Sequence, residues 1–442
     1  MLALLVMLAS CAHYRAAPIG SGAEALDAPV PAVLWADAAR IDRPFLTPTA
    51  IDLGAPLDAN AISVIAVLEN RDLRSLRQRA KVVEAQAFAA RLLPDPTFNF
   101  AFDKLLAGPD PYNNIIAQIV QDIALLRTRR IIAASNRALI RQVRLDLAWA
   151  EWQAAGAARV QAVRVMALER IVALGRLTKA SADQLFEATL RASLRGDIGA
   201  DQVQANRLSA LDATDRLRVN ELALSIARGE LLRLMGFPPG TPLRLADALP
   251  TDTPLDAARL FDVARDRRLD LKALQSGYTA QEAVARTAII NQFPVLSVGL
   301  AATRDTTGNK LIGGSVNVTL PLWNRGRGAI AVADATRAVL RTEYGARLFQ
   351  TRSDIANAVN GITIARRQAA ELRPLLGPLT QYADASQRAA ARGDVARAIA
   401  MTAAQTLRDR QSQLLIAEQT VAEQMIALEL LTGTPAAQWT TG

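Results

Sequence analysis

The stretch Arg195-Gly196-Asp197-Ile198 recurs 197 positions later as Arg392-Gly393-Asp394-Val395. Each copy interrupts a long tract rich in Ala, Leu, Arg, Gln and Glu, which are good helix formers. Glycine adopts positive φ at little cost, and aspartate can cap a following helix. Both copies therefore predict a tight turn between two long helices, with the aspartate as the cap of the second helix.

Other short segments also occur twice, in the same order and at nearly the same spacing. Pro56-Leu57-Asp58-Ala59 returns 198 positions later as Pro254-Leu255-Asp256-Ala257. The further pairs are Asp72-Leu73 with Asp270-Leu271, Val120 with Val318, Arg127 with Arg325, Arg129 with Arg327, and Gly236 with Gly433. A period near 198 is too long for a solenoid repeat, so we expect two copies of one domain half.

Two pairs of segments have the period-2 pattern of β-strands. Phe98, Phe100 and Phe102 alternate with polar or small residues, as do the apolar residues of 296–302 and 316–320, whereas 113–122 alternates poorly. Each segment has about the ten residues of a tilted transmembrane strand. A pair of hairpins in a soluble sandwich is the alternative. Because a single-chain barrel needs about eight strands, four transmembrane strands would require several subunits.

The helical tracts are unusually long. Residues 128–194 would span about 100 Å as one helix, and residues after the turn continue to Gly236, a plausible C-terminal stop. In the second copy Pro374, Gly377 and Pro378 interrupt the pattern, so we predict a kink there.

The N-terminus reads MLALLVMLAS over residues 1–10, which is too short to span a bilayer. Leu8-Ala9-Ser10-Cys11 resembles the bacterial lipoprotein signal, which implies that Cys11 is the lipid anchor. An ordinary secretory signal with a chance cysteine is the alternative. No Lys or Arg precedes the apolar run, as an n-region should have, which leaves open a translation start upstream of Met1.

The composition excludes several classes of protein. The chain has 442 residues, a net charge of +9, one cysteine and one histidine. These two residues are Cys11 and His13, so a disulfide framework and a Cys/His zinc site are excluded, and the composition argues against catalysis by a His general base or a Cys–His pair. The arginines are scattered along helices, which argues against nucleic acid binding. We expect no catalytic residue, no cofactor and no metal.

Two further segments carry a family resemblance. These are Ala89-Ala90-Arg91-Leu92-Leu93-Pro94-Asp95-Pro96, before the first strand, and Leu320-Pro321-Leu322-Trp323-Asn324-Arg325-Gly326-Arg327-Gly328, between a strand and a helix. With the duplicated strands, helices and turns, the chain from about Pro56 to Gly433 resembles the TolC-like outer-membrane factor family. The resemblance implies a mainly α fold with a small β part, in which a trimeric 12-stranded β-barrel continues into an α-helical barrel.

The resemblance also implies a domain order and a function. The expected order is a signal peptide (1–10), a lipidated extended arm (11–55), equatorial helices (56–93 and 254–292), strand pairs (94–123 and 293–323), helix hairpins (124–236 and 324–433), an equatorial linker (237–253) and a tail (434–442). Such proteins are homotrimeric, passive outer-membrane ducts that serve efflux with a periplasmic adaptor and an inner-membrane pump. The residues expected to dock the adaptor are Arg195, Gly196, Asp197, Ile198, Arg392, Gly393, Asp394 and Val395.

Part of the family pattern is missing. Some relatives constrict the entrance with aspartate rings just past the turns, but here only Asp201 lies nearby in the first copy, and Ile399 and Thr402 stand at the corresponding sites of the second. A carboxylate gate is therefore not assigned.

Three alternatives remain. The chain could be the exit duct of type I protein secretion, or a periplasmic structural lipoprotein without a pore. A dinucleotide-binding enzyme is suggested by Gly326-Arg327-Gly328 with Ala331, but the long helix that follows does not fit that fold.

Overall fold

The computed structural model describes residues 14–19, 22, 26–246 and 254–439. In these ranges the chain is mainly helical with one small sheet, as expected from the sequence. The elements, in chain order, are α1 (Pro31–Ala38), α2 (Ala59–Glu69), α3 (Arg71–Ala89), β1 (Thr97–Asp103), β2 (Asn114–Asp122), α4 (Ala124–Leu194), α5 (Ala200–Leu234), α6 (Ala257–Arg267), α7 (Leu269–Ile290), β3 (Val295–Arg304), β4 (Lys310–Thr319), α8 (Arg327–Arg392) and α9 (Arg397–Thr432). The order from α2 to α5 is repeated from α6 to α9.

The longest helix, α4, has 71 residues and spans about 105 Å. Five of its twelve buried residues are alanine or glycine, among them Ala155, Ala158 and Ala162. At Gly156 the backbone of α4 approaches α9 so closely that a Cβ would collide with the Leu430 side chain. Small residues on α4 therefore allow the two helical hairpins to pack side by side.

Helix α8 runs without a break from Arg327 to Arg392, through Pro374 and Pro378. The prolines do not end the helix, and the kink expected there stays a prediction. Each proline removes one N–H donor from the helix. Leu372 and Leu376 pack with Leu414 of α9, and this apolar contact holds the helix on both sides of Pro374.

The segment 11–55, expected to be an extended arm, contains the helix α1. Pro31 occupies the first turn, where its fixed φ favours a helix and its missing N–H costs nothing. Leu34 and Ala38 are almost completely buried in a core that also includes Val64 and Ile65 of α2. Burial of this apolar face is the reason why the arm is not extended throughout.

The four strands form one antiparallel sheet in the order β1-β2-β3-β4. β2 and β3 join the two copies, because Val120 pairs with Gly299. β1 and β4 are the outer strands of the described sheet. The sheet lies at one end of the long helices, and the two Arg-Gly-Asp turns lie at the other.

Candidate functional site

The two faces of the sheet differ in chemistry. Phe100 lies beside Ala117, Ala302 and Ile312 on one face, because each pairs with the next across the strands. Most large side chains on this face are apolar and exposed, and Phe100 itself is 62% exposed. The other face carries mostly polar or small residues, namely Thr97, Asn99, Ala101, Asp103, Asn114, Gln118, Ser297, Gly299, Ala301, Thr303, Ser315, Asn317 and Thr319.

Strand β2 is the segment whose alternation was weak in the sequence. Its register places Ile115 and Ile119 on the apolar face and Asn114 and Gln118 on the polar face. Ile116 and Val120 also lie on the polar face, which explains why the period-2 pattern was poor.

The two hairpin loops contact each other at the end of the sheet away from the helices. Thr306 Oγ1 donates to Asp110 Oδ2 at 2.6 Å, and the Tyr112 N–H donates to the Thr306 carbonyl at 3.1 Å. The guanidinium of Arg304 lies 4.1 Å from the centroid of the Tyr112 ring. The loops of the two copies are therefore tied into one unit.

The two Arg-Gly-Asp turns have the same backbone geometry. Gly196 and Gly393 both have φ of 83°, and the next N–H in each turn bonds back to the carbonyl of Ala192 or Ala389, at 3.0 and 2.9 Å. This is the hydrogen-bond pattern of a Schellman motif, which ends a helix with a left-handed residue. A Cβ at either position would meet no atom within 4 Å, so lack of space does not require a glycine. The positive φ is what requires it.

The aspartate of each turn does not cap the next helix, so that part of the prediction is wrong. The N-caps of α5 and α9 are Gly199 and Ala396. Asp197 instead accepts a hydrogen bond from Arg195 Nε at 2.9 Å, and in the second turn Arg392 donates to its own aspartate at 2.8 Å. A near, flexible guanidinium satisfies the carboxylate, while a glycine or alanine takes up the extended cap conformation.

The remaining predicted docking residues lie next to these ion pairs. Ile198 and Val395, which follow the aspartates, are half-buried, whereas the Arg and Asp side chains of both turns are exposed. Both turns therefore present one charged pair beside one aliphatic side chain, at matching positions of the two hairpins.

A groove near the second turn was not anticipated from the sequence. It lies between α8 and α9, has a volume of about 310 Å³, and is lined by Leu379, Tyr382, Ala398, Ile399, Thr402, Ala403 and Thr406. Ile399 and Thr402, the positions of the second copy at which no carboxylate gate was assigned, thus line this neutral, largely apolar groove. The signal in the sequence was the aromatic residue Tyr382 at helical spacing from Leu379.

Arginine contacts join the hairpin α4/α5 to the hairpin α8/α9. Arg164 pairs with Glu423 at 3.1 Å, and Arg159 pairs with Glu429 at 2.6 Å. Closest to the turns, Arg408 donates to Thr178 Oγ1 and Ser181 Oγ, each at 3.1 Å. Burial lowers the pKa of Arg408, because its hydroxyl partners carry no charge and the opposing charge of Asp409 is too weak to offset the desolvation.

The buried carboxylate of Glu151 connects the segments that pack against α4. The Glu151 side chain, only 2% exposed, accepts hydrogen bonds from Arg43 and from Arg77 Nη2, the latter at 2.8 Å. Burial by itself raises the pKa of Glu151, but the hydrogen bonds and charges of the two arginines outweigh it and hold the pKa below its usual value. Arg77 also donates to the Val67 carbonyl at 2.6 Å, so α2, α3, α4 and the N-terminal arm meet here.

A second buried ion pair lies at the start of α7. Arg268 donates to both carboxylate oxygens of Asp270 at 2.9 and 2.7 Å, and its guanidinium lies 4.9 Å from the Trp149 ring centroid on α4. Asp270 is one of the duplicated residues, but its partner Arg268 has no counterpart at that place in the first copy, where Asn70 occupies the position. The sequence repeat therefore could not reveal this ion pair.

The dinucleotide hypothesis is wrong. β4 pairs with β3 in antiparallel fashion, whereas the phosphate-binding fingerprint needs a parallel strand–helix–strand unit. Gly326 adopts φ of 67° at the N-cap of α8, and the helix that follows has 66 residues. The glycine serves the sharp change of direction from strand to helix.

The described residues contain neither a cluster of metal ligands nor the expected lipid anchor. Within the described ranges, no group of three or more Asp, Glu, His or Cys side chains is placed to hold a metal ion. Cys11, the expected lipid anchor, and His13 lie outside the described residues.

Among the described helices, each is either too short or too polar to cross a bilayer.

Comparison with known proteins relates the architecture to solved structures. No protein-family model matches the chain, and no curated protein matches it. The outer-membrane channel CmeC of Campylobacter jejuni is similar with a TM-score of 0.70 at 12% identity, covering 90% of this chain and 91% of CmeC. The MtrE outer-membrane channel of Neisseria gonorrhoeae in its open state gives 0.68 at 15% identity, covering 90% of this chain and 96% of MtrE.

A third similar structure is the outer-membrane protein VceC of Vibrio cholerae, with a TM-score of 0.69 at 14% identity. The match covers 85% of this chain and 96% of VceC. All three comparisons cover at least 85% of this chain at TM-scores of 0.68 to 0.70, so the chain has the fold of the TolC-like outer-membrane channels.

Proposed function

We propose that the chain is the outer-membrane channel component of a tripartite efflux system. Three copies would each contribute β1–β4 to one 12-stranded β-barrel, and their helices would form an α-helical barrel that crosses the periplasm. In this arrangement the protein is a passive duct for solutes, and an inner-membrane pump supplies the energy. The shared fold with outer-membrane channels supports the proposal.

The observation that carries the proposal is the exposed apolar face of the four-stranded sheet. Phe98, Phe100 and Phe102 follow one another on this face, and each is more than half exposed. Large contiguous apolar patches are rare on soluble monomers. Strands with apolar side chains on one face and polar ones on the other suit a barrel wall between lipid and an aqueous lumen.

The adaptor would bind at the end of the helices away from the sheet. The turns at Arg195–Ile198 and Arg392–Val395 support this assignment, because each presents an exposed ion pair beside a half-buried aliphatic residue. The apolar groove lined by Tyr382 and Ile399 lies next to the second turn and would add contact area.

Conductance of the purified protein in planar bilayers tests the channel. We expect conducting trimers. A matched pair of variants makes the test specific: Phe100→Arg places a charge on the apolar face and should cost about 2–4 kcal/mol of insertion, whereas Asn99→Arg lies on the polar face and should conduct. A folded trimer that opens no conducting path would overturn the proposal.

We also propose that Cys11 is the acylated N-terminal residue of the exported protein. The proposal rests on Leu8-Ala9-Ser10-Cys11 alone. Cells labelled with palmitate should incorporate it into the wild type and not into Cys11→Ser. Equal incorporation in both would contradict the anchor.

A further inference from the structure

We infer that β4 of one subunit pairs with β1 of the next in a single register, in which Thr319 lies opposite Ala101 of the partner subunit. The inference rests on the proposed function, because it concerns how copies of the sheet join. It goes further by naming the residues that meet. The second copy is the occupant because each subunit offers one free edge at β1 and another at β4 of the described sheet.

Backbone hydrogen bonds show which residues of the outer strands point away from the sheet. In antiparallel sheets, alternate residues bond to the neighbour on one side and the rest to the other side. The Asp305 N–H donates to the Asn309 carbonyl, so odd-numbered residues of β4 bond to β3. Even-numbered residues of β4, such as Val316 and Val318, therefore direct their N–H and C=O groups to the free edge.

The same reasoning applies to β1. The Ile123 N–H donates to the Leu296 carbonyl, so odd residues of β2 bond to β3 and even ones to β1. In the register of the first hairpin, even residues of β2 face odd residues of β1. Phe98, Phe100 and Phe102 therefore direct their backbone groups to the other free edge.

The even-numbered residues of β1 and β4 also place their side chains on the apolar face of the sheet. Val316 and Val318 lie on the same face as Phe100 and Phe102. A hydrogen-bonded junction that keeps this face continuous must pair even residues with even residues. A slip of one residue would turn the phenylalanines against polar side chains and is excluded.

The internal duplication selects one of the remaining registers. β1 and β3 begin at Thr97 and Val295, which are 198 positions apart. Thr97 pairs with Val120 in the first hairpin, and Val295 pairs with Thr319 in the second. Val120 is therefore structurally equivalent to Thr319. The 198-residue offset of the sequence repeat matched Val120 with Val318 instead, so in these strands that offset is one residue shorter than the structural one.

The junction between β2 and β3 is then the template for the junction between subunits. Val120 pairs with Gly299 within the chain. The equivalent of Val120 is Thr319, and the equivalent of Gly299, 198 positions earlier, is Ala101. The register that repeats the internal junction places Thr319 opposite the partner's Ala101.

The side chains that meet in this register are compatible. Val318 faces Phe102 of the partner subunit on the apolar face. On the polar face, Asn317 faces the partner's Asp103. Within the chain, Asp103 Oδ2 already accepts a hydrogen bond from Asn114 Nδ2 at 2.9 Å, so an amide on its other side can use the remaining lone pairs.

Disulfide trapping with one fixed cysteine scans the register. Thr319→Cys is combined with Ala101→Cys, with Asn99→Cys or with Asp103→Cys, all on the polar face. Residues opposite each other at such non-hydrogen-bonded positions have Cα atoms about 4.5 Å apart, within the range of a disulfide. On non-reducing gels we expect the Ala101→Cys pair to give linked dimers and trimers at about fivefold higher yield than the other two, whose Cα atoms lie roughly two residues out of register.

Controls separate the register from the channel. Each cysteine substitution is also made alone, because Cys11 is present in every sample and could form disulfides with the introduced cysteine. Gln118→Cys with Ala301→Cys, which pair within the chain, should form a disulfide without a gain in mass. Size and conductance are measured on the same samples after reduction.

Three results would count against the inference. If reduced samples are conducting trimers and the Asn99→Cys or Asp103→Cys pair links best, the register is wrong and the channel stands. If conducting trimers form no disulfide with any of the three cysteine pairs, the register is again wrong and the channel stands. Monomers without conductance would overturn the proposed function and the register with it.

Discussion

Arg159 on α4 donates to Glu429 on α9 at 2.6 Å, and the other oxygen of the same carboxylate accepts the Ala436 N–H at 2.9 Å. One side chain therefore joins the first long helix, the last long helix and the segment that follows it. The Arg159 side chain is 25% exposed and that of Glu429 is 11% exposed, so solvent screens the pair only in part.

Replacement of Glu429 by alanine should destabilise the protein by about 2 kcal/mol, since it leaves a partly buried guanidinium and a backbone N–H without their acceptor. The measurement is thermal unfolding followed by circular dichroism. As a control, Glu221→Ala removes the exposed pair with Arg176, and this should cost no more than about 0.5 kcal/mol. Equal losses in the two variants would show that the Arg159–Glu429 contact has no special role.

The contribution of Glu151 should depend on pH. Its pKa is lowered in the folded state, so its stabilising effect is complete above the unfolded value near 4.3 and is lost as the pH falls through the lower folded value. Glu151→Gln should therefore melt well below the wild type at pH 7, by the equivalent of about 2–3 kcal/mol. The gap should narrow near pH 3.

Glu84→Gln is the matched control, because Glu84 pairs with Arg144 at the surface. It should change the melting temperature little at pH 7. A gap between wild type and Glu151→Gln that is the same at pH 3 and pH 7 would contradict a role for the carboxylate charge.

The turn glycines and a helix glycine should respond to alanine in opposite directions. Gly393→Ala must hold a Cβ at φ of 83°, which costs about 1–2 kcal/mol, although the site has space. Gly361→Ala lies inside α8 with space for the Cβ and should stabilise by about 1 kcal/mol. Thermal unfolding of both variants measures the difference, and a stabilising Gly393→Ala would refute the assigned turn.

Charge reversal at the turns tests the docking assignment. Arg195→Glu combined with Arg392→Glu should reduce crosslinking to the periplasmic adaptor at least about tenfold, while the exposed position keeps the effect on folding small. Arg218→Glu, on the exposed surface of α5, is the control and should crosslink like the wild type. Unchanged crosslinking in an intact trimer of the double variant would remove these residues from the docking surface.

Sequence patterns identified most elements of the fold. The period-2 pattern predicted β1, β3 and β4, and the segment 113–122 was also predicted as a strand despite its poor alternation. The structure confirms all four. The Arg-Gly-Asp turns are confirmed, since glycine at positive φ is a local requirement. Predictions about side-chain partners were less successful: the turn aspartates bind arginines instead of capping helices, because two residues away a guanidinium was available.

What the sequence by itself determined is local and periodic. Alternation, helix propensity, glycine turns and duplication depend on residues close in the chain or on copies of them, so they can be read without coordinates. Tertiary structure decided the facing of β2, the continuity of α8 through Pro374, and the burial of α1. It also brought Arg408 to Thr178 and Arg43 to Glu151. These contacts depend on packing between segments far apart in sequence, where apolar burial and desolvation outweigh local preference.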